Sequence, residues 1–385
     1  MLRLLMIGEE GFLGGAEIAM SQLLSGLRER GVECAAVVPE RSDYWRLLKS
    51  RGVPLFPCSL NELKRDFIWG WPVFRELRRL RQAIHEFRPS VIHANAPWGA
   101  FFCLPAANRF GVPVVCALHS YPEAHRAFKR MLFVLLKTYI IRRCKRFVVF
   151  SDHMLNEVVE QYGFPLTKLS KVNCGIESER IVPRTTRAEW RMRNHLPSNA
   201  VVFLNLTRIH PVKGVMDFVD AAGLVRESCR EAFFVIAGEE AVTSLENLGF
   251  TAKLQRGIEV LGMADRFRFL GFQDDVGSIL AGSDVLVHPA HKEPFGLAVA
   301  EASAAGLPVV ASRVGGIPET IVEGENGFLV APRDVTQLAE KMLVLAADRG
   351  LRDRMGKRGA ELNSGRFTVS GMVEGMLSIY EGVAG

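Results

Sequence analysis

Five short β-branched and aromatic runs in the first half of this 385-residue chain, and five more in the second half, alternate with longer stretches of helical periodicity. Parallel strands cannot be joined by tight turns; each crossover takes about a dozen residues or more, and a helix is the usual way to fill it. The alternation therefore predicts parallel α/β sheets covered by helices. The expected strands are 2–8, 33–38, 90–95, 112–118 and 146–151, then 200–207, 232–238, 266–270, 284–288 and 307–312. One hydrophobic core rarely serves so long a chain, so each series is expected to build its own doubly wound, Rossmann-like sheet. The boundary falls in the segment 177–199, ESERIVPRTTRAEWRMRNHLPSN, a polar, arginine-rich connection with a short helix. That sets a first domain at 1–178 and a second at 179–365.

Open parallel sheets bind ligands outside the carboxyl ends of their strands. Two such sheets facing each other are expected to put both sets of strand ends around one central cleft, which makes the residues just after each strand the candidates for chemistry. After the first run, glycines at 8, 11, 14 and 15 lead into a helix at 16–29. Backbone N–H groups there can approach an anion closely, with Gly14 and Gly15 nearest the helix start. A tight turn alone would use the same glycines. The fingerprint GxGxxG is missing, which argues against a dinucleotide enzyme.

After 200–207 comes NLTRIHPVKG, with Arg208 and Lys213 in the loop. A guanidinium fork and an ammonium five residues apart can meet one diphosphate and serve as its countercharge in place of a divalent metal. No Asp-x-Asp pair and no His/Cys cluster of metal spacing stands in the sequence, so no metal site is expected. After 284–288 comes HKEPFGLAVAEASAAGLPVV, in which Glu293 and Glu301 stand eight positions apart among small and apolar residues. A helix is expected from about 296 to 305, its first N–H groups at Phe295, Gly296, Leu297 and Ala298 forming a second anion site. Glu301, in the second turn among apolar neighbours, is suited to accept from a pair of sugar hydroxyls. A glycosidase acid/base pair is the other use of two carboxylates, but here one sits in a loop and the other two turns down a helix. His119 ends the run 112–118, and His93, Asn95 and Ser151 stand at comparable strand ends, as acceptor-side candidates or as packing residues.

The net charge of +6 is uneven: residues 1–180 carry 26 Lys/Arg against 17 Asp/Glu, and 181–385 carry 22 against 25. The densest basic run, 125–146, holds eight Lys/Arg and no acid. It suits an acidic membrane surface or an anionic substrate, and it also suits a core helix with a solvated basic face. No nucleic-acid signature accompanies it. Seven cysteines without a CxxC pair, no apolar run of about 18 residues and an N-terminus unlike a signal peptide point to a cytoplasmic protein, with peripheral contact at the inner membrane face left open.

Together these residues resemble the family-4 retaining glycosyltransferases of GT-B fold. The motifs are GGAE at 14–17, LHS around His119, Arg208-IHPV-Lys213-Gly214, the pair Glu293-PFGLAVA-Glu301, and VGGIPE at 314–319. The resemblance implies a nucleoside diphosphate sugar, UDP- or GDP-linked, held by the second domain, and an acceptor held by the first. It gives Arg208 and Lys213 the departing diphosphate, with amides of Phe295, Gly296 and Leu297 beside it. Glu293 would take the sugar's hydroxyls and Glu301 the ribose's. Gly15 would lie against phosphate and His119 near the transferred carbon, with no protein nucleophile. The family's C-terminal helix returns to the first domain, a part that 366–385 can play. The activity implied is metal-independent transfer, with retention, to an acceptor hydroxyl in glycan, glycolipid or other glycoconjugate synthesis, the acceptor being anionic or lipid-linked. A nucleoside diphosphate sugar epimerase and an inactive sugar-nucleotide-binding protein are the alternatives. One departure is Cys174 in KVNCGIE, where similar proteins commonly read asparagine.

Overall fold

The computed structural model describes residues 1–9, 11–60, 71–119, 127–240, 248–363 and 365–384, without the side chains of 71, 72, 127–133 and 135. The chain divides into two compact units, Met1–Gly175 with Val369–Gly385, and Ile176–Thr368.

In the first unit, β1 (Arg3–Ile7), β2 (Glu33–Val38), β3 (Leu55–Pro57), β4 (Val91–Ala94), β5 (Val114–Ala117), β6 (Arg146–Val149) and β7 (Leu169–Lys171) form one sheet in the order β3-β2-β1-β4-β5-β6-β7. Every pairing among them is parallel. The second unit repeats the plan with β8 (Val201–Leu206), β9 (Ala232–Ala237), β10 (Phe267–Gly271), β11 (Val285–His288), β12 (Val309–Ser312) and β13 (Gly327–Val330), in the order β10-β9-β8-β11-β12-β13. Both sheets thus reverse direction of growth once, between β1 and β4 and between β8 and β11. At such a switch point the loops after the two central strands diverge and leave a crevice.

The central strands are apolar on both sides because helices cover both faces. In β1, Leu4, Leu5, Met6 and Ile7 are fully enclosed. Burying side chains of that size contributes about 1.5–3 kcal/mol each. In the second unit one face packs Phe203, Val285, Val287 and Val310 against helix Val215–Ser228. The opposite face packs Leu204, Leu286, Val309 and Ala311 against helices Val276–Gly282 and Leu297–Ala304.

Helix Val369–Ala384 belongs to the first unit. Its Tyr380 is fully enclosed, meets the His93 ring edge to face at 5.9 Å, and bonds His93 Nδ1 through its hydroxyl at 2.8 Å. Within the basic run, residues 125 and 126 lie outside the described ones. Helix Ala127–Arg143 turns Leu136 and Ile140 into the core and leaves Arg142 and Arg143 exposed. Among the described residues no helix is long and apolar enough to cross a membrane. All seven cysteines are free thiols.

Candidate functional site

The loops after β8 and β11 carry the chemistry-bearing residues of the second unit. After β8 the chain passes Arg208, which is partly buried, and closes a 3-10 turn at Pro211–Lys213. His210 fixes that turn by accepting from the Val212 N–H at Nδ1, 3.1 Å away. The loop after β11 is tied to it: His291 N–H donates to the Val212 carbonyl at 2.8 Å, and His291 Nε2 lies 2.8 Å from Asp217 Oδ2.

Lys213 and Glu293 meet directly. Lys213 Nζ donates to Glu293 Oε2 at 2.7 Å, and His288 Nε2 lies 2.9 Å from the same oxygen. A carboxylate only accepts, so the His288 ring carries its proton on Nε2. Burial raises the Glu293 pKa, but the Lys213 charge and the His288 hydrogen bond outweigh it and hold this carboxyl well below the usual range. Glu293 Oε1 accepts nothing from the described residues. The double glycine of VGGIPE accounts for where the Glu293 backbone lies. Gly315 has φ +55°, and a Cβ there would stand 1.6 Å from the Glu293 carbonyl oxygen, while Gly316 N–H donates to that oxygen at 3.1 Å.

Glu301 lies one helix further in, 3% exposed. Arg180, from the short helix Ser178–Ile181, donates through Nε to Oε1 at 2.8 Å. Burial raises the Glu301 pKa and Arg180 works against it. Its Oε2 is likewise unbonded among the described residues. The two glutamates therefore share a plan, with one oxygen held by a protein cation and one open.

Helix Leu297–Ala304 begins between them. Gly296 caps it at φ +94°, with no side-chain cap and no acid in the first turn. The other helices after strands of this sheet begin with acids. Helix Val215–Ser228 has Asp217 in its first turn, and helix Val276–Gly282 is capped by Asp275. Helix Ile317–Thr320 has Glu319. At helix Phe250–Val260 the Glu240 carboxylate accepts from the N–H groups of Gly249, Phe250 and Thr251 at 2.6, 3.2 and 2.9 Å. Helix N-termini attract anions through orphan N–H groups and partial positive charge. Among the described helices that follow strands of this sheet, the start at Leu297 is the one with no acid in its first turn and no carboxylate bonded to its N–H groups.

The first unit arranges its candidates differently. His119 Nε2 lies 2.8 Å from Asn95 Oδ1, and its ring stacks on Phe150 with centroids 4.4 Å apart. Burial and the nearby His93 lower the His119 pKa, so the imidazole is neutral. His93, expected on the acceptor side, is fully enclosed and bonded to Tyr380; its observed part is to anchor the C-terminal helix. Ser151 accepts from Met154 N–H at 3.1 Å as the N-cap of helix Asp152–Glu160. At the start of helix Gly15–Glu29, Glu17 Oε2 accepts from Gly14 N–H at 3.0 Å.

Two residues beside the expected carboxylates were not anticipated. His288 is the last residue of β11, directly before the loop, and that position was its signal. Arg180 is separated from Glu301 by 121 positions, and nothing local marks it.

Two Rossmann-like parallel sheets of the same strand order, the second with a basic and acidic cluster at its switch point, define a GT-B fold. The chain belongs to the family-4 glycosyltransferases: residues 13–180 match the model described as Glycosyltransferase Family 4, and residues 186–362 match Glycosyl transferases group 1. A D-inositol 3-phosphate glycosyltransferase of Streptomyces bingchenggensis is 31% identical over 68% of this chain and 60% of its own length. The sulfoquinovosyl transferase SQD2 of Arabidopsis thaliana is 29% identical over 91% of this chain and 67% of its own. The chain spans about three fifths of the length of the Streptomyces relatives it matches. Among solved structures, the Anabaena protein HepE in complex with UDP and glucose is similar in fold, with a TM-score of 0.86 at 21% identity, over 99% of this chain and 100% of that one.

Proposed function

We propose that this chain transfers a sugar, with retention and without a metal, from a nucleoside diphosphate sugar to an acceptor hydroxyl. The observation that carries the reading is the start of helix Leu297–Ala304, free of any protein carboxylate and set between two glutamates that each keep one oxygen open. A nucleoside diphosphate sugar presents hydroxyls, then phosphates, then hydroxyls, and this order of acceptor, donor and acceptor groups complements it.

In the proposed reaction the bond from the sugar's anomeric carbon to the diphosphate oxygen breaks, and the acceptor oxygen bonds that carbon on the same face. The acceptor's proton passes to the departing phosphate oxygen. Negative charge grows on the diphosphate as it leaves. Arg208, the free N–H bonds of the Lys213 ammonium and the amides of Phe295, Gly296 and Leu297 would stabilise it. Preorganised donors of that kind are usually the largest contribution to catalysis, about 2.7–4 kcal/mol for a single one. Glu293 Oε1 would take the sugar's hydroxyls and Glu301 Oε2 the ribose's. His119, oriented by Asn95, is the chemistry-bearing side chain of the first unit, to which the acceptor is assigned.

The name of the Streptomyces relative, a D-inositol 3-phosphate glycosyltransferase, supports an anionic acceptor, and the basic balance of residues 1–180 agrees with it. The UDP in the HepE complex supports a uridine donor over a guanosine one. We assign the reaction to the cytoplasmic side, with peripheral membrane contact if the acceptor is lipid-linked. The test is a screen of UDP-, GDP- and ADP-sugars against phosphorylated sugars and lipid carriers, read by mass spectrometry, with the anomeric configuration of the product determined by NMR. Transfer by the native chain that persists in chelator is expected. No transfer from any donor, or an inverted product, overturns the reading.

A further inference from the structure

We infer that Arg180 is a positioning residue for ribose recognition: by holding one oxygen of Glu301 it keeps the other turned outward as a charged acceptor for the 2′- and 3′-hydroxyls. This rests on the donor reading above, in which Glu301 meets the ribose.

Glu301 is 3% exposed and sits among Val299, Ala300 and Ala302, which offer it no hydrogen bond. Its side chain's one hydrogen bond among the described residues is the 2.8 Å contact from Arg180 Nε to Oε1. A carboxylate so placed would otherwise take up a proton or rotate toward whatever donor is near. The guanidinium does two things at once. It supplies the countercharge, and its Nε–H, 2.8 Å from Oε1, holds that oxygen in place and leaves Oε2 as the open one.

Arg180 is itself held. The chain just beyond it is pinned to helix Val276–Gly282, where Ser278 Oγ accepts from the N–H groups of Arg184 and Thr185 at 3.0 and 2.9 Å. At 19% side-chain exposure Arg180 is mostly sheltered from water, so its pairing with Glu301 is little screened. A surface arginine free to wander would give Glu301 charge without direction. The arrangement matches the one at Glu293, where Lys213 and His288 converge on Oε2 and leave Oε1 open. What Lys213 does for the glutamate at the sugar end, Arg180 does for the glutamate at the ribose end.

The experiment compares the native chain with Arg180→Gln, Arg180→Lys and Glu301→Gln by calorimetric titration. UDP, GDP and ADP are tried first, and then the 2′-deoxy counterpart of whichever binds. Circular dichroism and a thermal midpoint establish that each variant is folded. The native chain is expected to prefer the ribonucleotide by about tenfold, the size of one charge-assisted hydrogen bond. In Arg180→Gln and Glu301→Gln that preference is expected to fall below about twofold. Arg180→Lys, which keeps the charge, is expected to stay within about threefold of the native ratio, and it decides the matter if Arg180→Gln does not fold. A full preference in folded Arg180→Gln, or its complete loss in Arg180→Lys, overturns the role of Arg180 alone. A full preference in Glu301→Gln, or no nucleotide bound by the native chain, overturns the donor reading and this inference with it.

Discussion

The helices Gly15–Glu29 and Leu297–Ala304 both follow glycine-containing turns at a sheet's switch point, and both were expected to hold phosphate. They begin differently. At the first, the Glu17 carboxylate takes the Gly14 N–H just ahead of the helix. The second has no acid in its first turn and no side-chain cap, and the carboxylates on either side of it are bonded through one oxygen each to Lys213 and His288 or to Arg180. Glycines at a helix start make an anion site available only where no side chain has taken it.

The largest effect should come from Lys213→Ala, which removes the cation beside the open helix start. Transfer is expected to fall about 100- to 1,000-fold in kcat/KM. Glu293, at 12% side-chain exposure, would be left without its ammonium, a loss of about 3–5 kcal/mol for a buried pair, read by urea unfolding. Adding Glu293→Ala should recover much of the stability and none of the transfer. An active Lys213→Ala would break the comparison at its centre.

Gly315→Ala should follow. At φ +55° a side chain costs about 1–3 kcal/mol from the backbone region alone. The added Cβ also displaces the Glu293 carbonyl, so donor binding and stability should fall together. Gly14→Ala is the control at the other start, where φ is −128° and ψ −179°. Any side chain adopts that conformation, and the loss should stay under about 1 kcal/mol.

Acid should separate the units that hold the two starts. Burial lowers the His93 pKa to about 3, so its folded ring stays neutral while the unfolded ring protonates. The first unit therefore loses stability as pH falls from about 6.5, by about 1.4 kcal/mol per pH unit. Glu293 in the second unit is depressed, so its contribution is complete above the unfolded carboxyl's pKa of about 4.3 and is lost only as pH falls below that. Hydrogen exchange at pH 5.5 should show the first unit opening more readily than at pH 7, with no such loss in the second; because burial lowers the His119 pKa in the same way, His93→Gln should reduce the difference and the double variant His93→Gln/His119→Gln should remove it.

The smallest effect is expected from Glu17→Gln. Weakening this cap should cost about 0.5–1 kcal/mol in thermal unfolding and leave nucleotide affinity within about threefold of native. A marked gain in affinity would mean that the first start also holds phosphate once its own carboxylate is neutralised.

The central strands were legible because burial on both faces demands continuous apolar runs, and β1, β2, β8 and β9 consist of little else. Three of the four edge strands were not. β3 (LFP), β7 (LSK) and β13 (GFLV) are three or four residues long, and nothing in so short a run separates a strand from a loop. At the site, Glu293 and Glu301 could be found because a charge in an apolar segment stands out and their spacing is local. Their pairings could not be read in the same way: Lys213 stood out as a countercharge for a diphosphate and not as the partner of Glu293, and Arg180 did not stand out at all. The Arg180 contact spans 121 positions and the Lys213 contact 80, and each depends on which strands become neighbours. His119 and Asn95 were each legible as strand-end residues, but their pairing follows from the register of β4 beside β5. Ser151 was legible as a strand-end hydroxyl; that it caps the next helix, accepting from the Met154 N–H, depends on where that helix begins.

The bond between Tyr380 and His93 joins residues 287 positions apart and so orders events on the ribosome. The first unit is made in two instalments. Its sheet emerges early, but the helix that covers it arrives only after the whole of Ile176–Thr368 has been synthesised. At about 5–20 residues per second that interval is roughly 10–40 seconds. Throughout it, the surface around His93 must stay uncovered or be held by a chaperone, while the second unit has every strand it needs and can fold at once.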